Sequence, residues 1–170
     1  MNDTTDKGRV SDISSALAAR KIRSSVRALI VKEGKILCNL NKRNGEEYYT
    51  LPGGGQDLGE DLETALKREV KEEVGCDLSI HELVFVYDYI AAKDPHQYRK
   101  NPSYHALQHI FWCELIDPHN LGKDVQMDEY QVGHKWIKLM ELQEKNFYPK
   151  ELVSALQNPK DAKIYLGELY

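Results

Sequence analysis

Short apolar runs bounded by turn signals predict that most of this chain forms β-strands. The dipeptides Glu33-Gly34 and Asn44-Gly45 are tight-turn signals that divide the first part of the pattern into three strands. Longer apolar runs follow, separated by polar loops, one of which contains two prolines. The predicted strands are two within 24–43, one at 48–51, and one each at 77–92, 103–117 and 132–139.

A different period marks the segment 61–74, where apolar residues recur every four positions and predict an α-helix with one buried stripe. Gly75 follows as a helix stop, and two short helices are predicted at 140–146 and 149–158. The order of strands, one helix, strands and then helices favours an α/β or α+β domain with a mixed sheet. The stripe consists of Leu62, Leu66, Val70 and Val74.

The composition fits one globular domain. Of 170 residues, 41% are hydrophobic and 29% are charged, which is enough for a core and too apolar for a disordered chain. A formal net charge of −4 argues against a general nucleic-acid binder, and an acidic enzyme that handles phosphates would need cations to offset the repulsion. We expect one domain over 21–170, preceded by a polar segment, 1–20, that is a tail or a short helix.

The cysteines and the apolar runs indicate where the protein works. Cys38, Cys76 and Cys113 each lie in an apolar run and form no CxxC pair, which is typical of buried thiols in a reducing compartment. No apolar run approaches the roughly 18 residues of a membrane span, and the first residues lack the apolar core of a signal peptide. A cytoplasmic protein without a membrane partner is therefore expected.

Three carboxylates cluster on the predicted helix. At about 100° per residue, Glu69, Glu72 and Glu73 share one arc at the edge of the apolar stripe, while Lys67 and Lys71 lie on the opposite side. Like charges at this spacing repel by a few tenths of a kcal/mol per pair. Helix geometry alone leaves two interpretations open: a salt-bridged surface helix, which is the common one, or a site for a hard, oxygen-preferring cation.

A glycine triplet precedes this helix. Gly53, Gly54 and Gly55 directly follow Pro52 and a predicted strand. Glycine backbone can approach a ligand closely because no side chain covers it. The triplet is either a flexible turn or a loop that brings a backbone carbonyl to the same cation as the acids, and its length favours close approach.

The segment 54–76 resembles the Nudix box: a glycine, five residues, a glutamate, seven residues, then Arg-Glu-aliphatic, one residue, Glu-Glu, one residue, and Gly-aliphatic. Cys76 stands at the last, normally aliphatic, position. The similarity implies a Nudix-type α/β/α sandwich with a central mixed β-sheet, extending from about Arg23 to the C-terminus. The matching residues are Gly54, Glu60, Arg68, Glu69, Val70, Glu72, Glu73 and Gly75.

The resemblance also implies a function. Nudix hydrolases cleave a nucleoside diphosphate linked to another group, here a small nucleotide derivative such as ADP-ribose or a nucleotide sugar. By resemblance, Mg²⁺ or Mn²⁺ is expected on Glu69, Glu72, Glu73 and the Gly54 carbonyl. Glu72 and Glu73 are both candidates for the general base.

Supporting roles follow from the same resemblance. Arg68 is expected to pair with Glu60, to hold the glycine loop on the helix and to steady a metal-binding glutamate. The alternative for Arg68 is a surface salt bridge worth under about 1 kcal/mol. Three glycines, Gly53, Gly55 and Gly75, are expected to support the site.

Substrate contacts are expected outside the box, where Arg and Lys suit phosphate and Tyr suits a base. Asp128 or Glu129 is a candidate further acid, with a solvated loop as the alternative. His105 and His109 are interpreted as structural or surface residues, and an aromatic at Tyr48 or Tyr49 as packing under the loop. The candidate contacts are Tyr98, Arg99, Lys100 and Glu129, with Arg23 and Arg27 on the first strand as weaker candidates for phosphate contact.

Two other functions compete. An enzyme acting on the 5′ end of RNA would need a basic groove, which the net charge does not support. A non-catalytic nucleotide-sensing module typically loses box glutamates, and here all three are present. A homodimer is a further possibility that the sequence does not decide.

Overall fold

In the computed structural model, residues 21–95 and 101–170 are described, and they form a mixed seven-stranded β-sheet with two α-helices. Short 3₁₀ segments cover Ala91–Lys93, Pro118–Asn120 and Leu139–Glu144. The helices are Leu62–Val74 (α1) and Leu152–Gln157 (α2). The strands are Ile22–Lys32 (β1), Lys35–Arg43 (β2), Glu46–Thr50 (β3), Leu78–Ile90 (β4), His105–Leu115 (β5), Gln131–Lys138 (β6) and Tyr165–Glu168 (β7).

The sheet has the order β3-β2-β1-β5-β4-β7. β6 lies off this path and pairs antiparallel with β2. β1 and β5 are parallel, with Ile22 opposite His105 and Ile30 opposite Cys113, while β4 and β5 are antiparallel. β2 pairs with β1 only at Val31 and Lys32, so most of that edge of β1 is open to another partner.

Alternation along the strands builds one core on each side of the sheet. On β1, Val26, Ala28 and Ile30 pack with α1, whereas Leu29 belongs to the core that contains α2. Side chains of a strand point alternately to opposite faces, so one strand supplies both cores. The predicted α/β/α sandwich with a mixed sheet is therefore confirmed.

Local signals set both ends of α1. Asp61 caps the N-terminus, where its carboxylate accepts a hydrogen bond from the Thr64 amide at 2.7 Å. Gly75 ends the helix in the left-handed conformation (φ 81°), and its amide bonds Lys71 O. The predicted helix and its stop are confirmed. Among the helices of the described ranges, none is long and apolar enough to cross a membrane.

The sequence pattern differs from the structure in short elements. β7 was not predicted, because four residues containing a glycine give too short an alternation; the strand forms by parallel pairing with β4. Residues 91–92, predicted as strand, lie in a 3₁₀ segment that the Asp94 amide closes on Ala91 O. The predicted helix at 140–146 is also 3₁₀.

The glycine loop fills the open edge of β1. It runs antiparallel along the first half of the strand, where three backbone hydrogen bonds and an isolated bridge between Ser25 and Gly55 hold it. The loop is therefore part of the sheet edge, and not a free turn. Its bonds run from Ala28 N to Pro52 O (2.9 Å), from Val26 N to Gly54 O (2.9 Å) and from Gln56 N to Ser24 O (3.0 Å).

We predict that Gly53→Ala destabilises the protein more than Gly45→Ala. Gly53 has φ 124°, and an added Cβ would lie 2.3 Å from Val26 O; Gly45 also has positive φ (87°) but open space around it. The φ strain costs about 1–2 kcal/mol in either variant, and the backbone clash adds about 1–3 kcal/mol at Gly53 only. Urea unfolding measures the difference; equal losses would contradict the close approach of loop and strand.

Candidate active site

The glycines of the loop lie against charged side chains. A Cβ on Gly54 would lie 2.3 Å from a Glu69 carboxylate oxygen, and a Cβ on Gly55 would lie 2.0 Å from the Arg23 guanidinium. Together with Gly53 against β1, each glycine of the triplet has its own close neighbour. Of the two interpretations of the triplet, the structure favours close approach over a flexible turn.

Glu73 is a buried carboxylate beneath this loop. Only 4% of its surface is exposed, and its Oε2 accepts hydrogen bonds from Asn39 Nδ2 (2.8 Å) and from the Gly53 amide (2.7 Å). Burial raises the pKa of Glu73 to about 7; the nearby Asp128 adds to this shift, while Arg27 and the two hydrogen bonds oppose it. The helix, the loop and β2 thus meet at one titratable group.

The other two acids of the arc lie in different surroundings. Glu69 is 16% exposed beside the glycine loop, and one of its oxygens accepts from Arg68 at 2.8 Å. Glu72 is 40% exposed, with Arg68 at 3.5 Å. Within the part of the chain that the structure describes, no three His, Cys, Asp or Glu side chains converge as a ready metal group. The role of Glu69 and Glu72 as metal ligands stays a prediction.

Arg68 ties α1 to the loop. Its guanidinium bonds both carboxylate oxygens of Glu60, each at 2.8 Å, and also donates to Gly55 O at 3.0 Å and to Glu69. The hydrogen bond from Arg68 lowers the pKa of Glu60 to about 2, assisted by the Asp57 amide. These are the contacts that the resemblance to the Nudix box led us to expect of Arg68.

A cleft of about 740 Å³ lies where β1 and β2 diverge. Glu73 reaches it from the last turn of α1, and Arg27 reaches it from β1. Arg27 donates to Gln108 Oε1 (3.3 Å) and to the carbonyl of Gly53. Asp128 and Glu129 line the same cleft, so the structure brings together Arg27, Glu73 and both candidate acids.

Tyrosines dominate the cleft wall. Tyr89 packs near Tyr104 and Tyr170, with ring centroids 6.0 and 6.5 Å away, and Tyr48 meets Tyr148 edge-on at 6.0 Å. Sequence reasoning missed this surface because its members come from distant segments. A compositional signal was available, since the chain has 10 Tyr against 3 Phe and 2 Trp. The lining tyrosines are Tyr48, Tyr87, Tyr89, Tyr104, Tyr130, Tyr148 and Tyr170.

Comparison with known proteins supports the resemblance to the Nudix box. The model of the NUDIX domain matches residues 21–156. The chain belongs to the NUDIX family. It is thus a hydrolase of the NUDIX pyrophosphohydrolase family, as the resemblance implied.

Relatives of this NUDIX protein are named as enzymes with different activities. The chain is 31% identical over 121 residues to nucleoside triphosphatase NudI of Escherichia coli O81 (strain ED1a), covering 68% of this chain and 82% of the relative. It is 32% identical over 93 residues to the ADP-ribose pyrophosphatase of Methanocaldococcus jannaschii, covering 54% and 50%.

Solved structures share the fold of this NUDIX protein. A NUDIX hydrolase from Nitrosomonas europaea superposes with a TM-score of 0.67 at 20% identity, covering 85% of this chain and 93% of that one. A UDP-X diphosphatase gives 0.63 at 22% identity, covering 94% and 74%. At these identities the likeness shows the fold alone.

Other candidate residues of this NUDIX protein have different placements. The candidate contacts Tyr98, Arg99 and Lys100 lie outside the described residues. Of Tyr48 and Tyr49, one of which was expected to pack under the loop, Tyr49 is buried in the core and Tyr48 faces the cleft. This difference follows from strand alternation in β3.

Both histidines of β5 have protein partners. His105 Nε2 lies 2.6 Å from Asp88 Oδ1, and His109 Nδ1 lies 3.1 Å from Ser25 O. These contacts are consistent with the structural interpretation of the two residues.

The chemistry of this site fits a hard divalent cation, which NUDIX hydrolases generally need. The side-chain donors are carboxylate oxygens, which such cations prefer. Both described hydrogen bonds to the Glu73 carboxylate end on Oε2, and Asp128 repels this carboxylate. The Glu69 carboxylate occupies the space that a Cβ on Gly54 would take. A cation here would relieve the repulsion between the buried Glu73 carboxylate and the exposed Asp128.

We predict that Arg68→Lys lowers kcat/KM by about 10–100-fold, as expected for residues that orient metal ligands. Lysine cannot form the two parallel bonds to Glu60 while also reaching Gly55 O. Lys67→Ala is the matched control, because Lys67 lies on the same helix in an exposed pair with Glu63 at 4.0 Å. Steady-state kinetics on both variants measures the effect. Loss of activity in Lys67→Ala, or none in Arg68→Lys, would contradict the assignment.

Proposed function

We propose that this NUDIX protein is a divalent-metal-dependent pyrophosphohydrolase that cleaves a nucleoside diphosphate linked to another moiety, such as ADP-ribose or a nucleotide sugar. Water attacks a phosphorus, and the products are a nucleoside monophosphate and the phosphorylated second moiety. The observation that carries this proposal is the meeting of Glu73 and Arg27 in a tyrosine-lined cleft. The cleft volume lies within the usual range of small-molecule sites, about 300–1,000 Å³.

The tyrosines support recognition of the nucleoside. A phenol ring stacks on any nucleobase and offers a hydroxyl for hydrogen bonding. Tyr48 and Tyr148 form one aromatic pair in the cleft, and Tyr89 with its neighbours forms another. A substrate with a base and a second ring or sugar would use more of this surface than inorganic pyrophosphate does. The name of one relative, an ADP-ribose pyrophosphatase, points to the same substrate class, whereas the Escherichia coli relatives are named nucleoside triphosphatases.

The charges of the cleft support a need for cations. Its lining has two arginines against four carboxylates, so an anionic diphosphate would be repelled. Mg²⁺ or Mn²⁺ held by Glu69, Glu72, Glu73 and the Gly54 carbonyl would neutralise the diphosphate and lower the pKa of a bound water. The carboxylates are Glu46, Glu73, Asp128 and Glu129, and the arginines are Arg27 and Arg43.

The chain's own residues have distinct proposed roles. Arg27 binds the diphosphate, since its guanidinium faces the cleft next to Gly53. Glu73 accepts the proton of the attacking water; of the two candidate bases, it is the one that lines the cleft. Asp128 and Glu129 are further acids at the same wall. Arg68 keeps the loop and helix in register.

The test is a substrate panel: ADP-ribose, nucleotide sugars, NADH, dinucleoside polyphosphates, nucleoside triphosphates, oxidised nucleotides and capped RNA, each with Mg²⁺. We expect ADP-ribose or a nucleotide sugar to give the highest kcat/KM, with nucleoside monophosphate as product, and EDTA to abolish turnover. Chromatography of the products identifies the cleaved bond.

Each other outcome of the panel has a meaning. Preference for a triphosphate would instead place the protein with the Escherichia coli relatives. Preference for capped RNA would favour the RNA 5′-end alternative. No turnover of any compound would favour the non-catalytic module, and all three results would reject the proposed function.

A further inference from the structure

Gln131, the first residue of β6, connects several parts of the candidate site. It is 5% exposed, and its Nε2 lies 3.2 Å from Glu73 O, 3.5 Å from Asn39 Oδ1 and 3.0 Å from His134 Nε2. Its backbone amide bonds Asp128 O at 3.0 Å. One residue therefore joins α1, β2 and the turn that carries a candidate acid.

Asn39 links Gln131 to the carboxylate. It is 3% exposed, and its Nδ2 donates to Glu73 Oε2. The same amide plane then directs Oδ1 toward Gln131 Nε2. A reversed Asn39 amide would set its oxygen against the carboxylate of Glu73, so the donation from Gln131 favours the orientation that bonds Glu73.

This arrangement leaves one polar atom without a partner. Within the described residues, Gln131 Oε1 is a buried side-chain oxygen for which there is no hydrogen-bond partner. Reversing the amide would set Oε1 against two acceptors, Glu73 O and Asn39 Oδ1. A buried unpaired oxygen lowers stability, and an apolar side chain of the same shape would avoid it. The polar residue is therefore better explained by what Nε2 holds than by packing.

We propose that Asn39 and Gln131 are positioning residues that act through Glu73. They keep its carboxylate bonded through Oε2, which leaves Oε1 available to the cation. Gln131 also fixes the Asp128 turn relative to Glu73 through its backbone. This inference rests on the proposed function of Glu73.

The test uses two near-isosteric variants, Asn39→Leu and Gln131→Met. We expect kcat to fall about 10–100-fold with KM within about 3-fold of the unmodified protein, and the Kd for Mn²⁺, measured by electron paramagnetic resonance, to rise about 10–100-fold. Gln157→Met is the matched control. Gln157 is a part-buried amide whose Nε2 donates to Leu139 O at 2.8 Å, and neither residue lines the cleft. It should change neither quantity.

A coupling measurement separates positioning from general damage. In a Glu73→Gln background, Asn39→Leu should lower kcat by less than about 2-fold, since residues that act as a unit are not additive. The same fold-loss in both backgrounds would overturn the proposal. So would a lowered Tm with kcat per folded molecule unchanged, which is what a purely structural role predicts. If one variant does not fold, the other is measured.

Mn²⁺ binding keeps this inference distinct from the proposed function. An unchanged Kd for Mn²⁺ in both variants would overturn the positioning role and leave the hydrolase activity standing. Absence of turnover of every panel substrate would reject the proposed function. Even then, weaker Mn²⁺ binding by Asn39→Leu and Gln131→Met, but not by Gln157→Met, would support the positioning role.

Discussion

The hydrogen bond from the Gly53 amide to the carboxylate of Glu73, at 2.7 Å, is the contact on which the site depends. It requires the loop to pass close to the last turn of α1. It also requires the open edge of β1, where Val26 and Ala28 hold the loop by backbone bonds. Glycine at position 53 satisfies both requirements, since a Cβ there would meet Val26 O. Sheet edge, loop and helix are thereby fixed relative to one another.

This arrangement places a buried carboxylate near a second acid. Glu73 is buried near Asp128, and burial raises the pKa of Glu73 to about 7. Arg27 and Asn39 offset only part of this cost. A divalent cation completes the balance in our proposal, and the same cation would bring in an anionic substrate. In this proposal, one cation would both offset the charge of the buried carboxylate and attract the anionic substrate.

The sequence predicted what depends on local period and spacing. Alternation located six of the seven strands, and the four-residue stripe with Gly75 as its stop located α1. It could not predict contacts that join distant segments: Asn39 and Gln131 meet Glu73 across 34 and 58 positions. The tyrosine wall also depends on tertiary pairing, and β7 exists only because β4 offers an edge.

The most direct test is the kcat of Glu73→Gln with Mg²⁺, compared with Glu72→Gln and with the unmodified protein on the best substrate of the panel. Glutamine keeps the shape of Glu73 but holds a cation and a proton poorly. We expect kcat to fall by about 10²–10⁴-fold in Glu73→Gln, with circular dichroism showing a folded protein, and by less in the more exposed Glu72→Gln. Turnover by folded Glu73→Gln close to that of the unmodified protein would contradict the central role of this buried carboxylate.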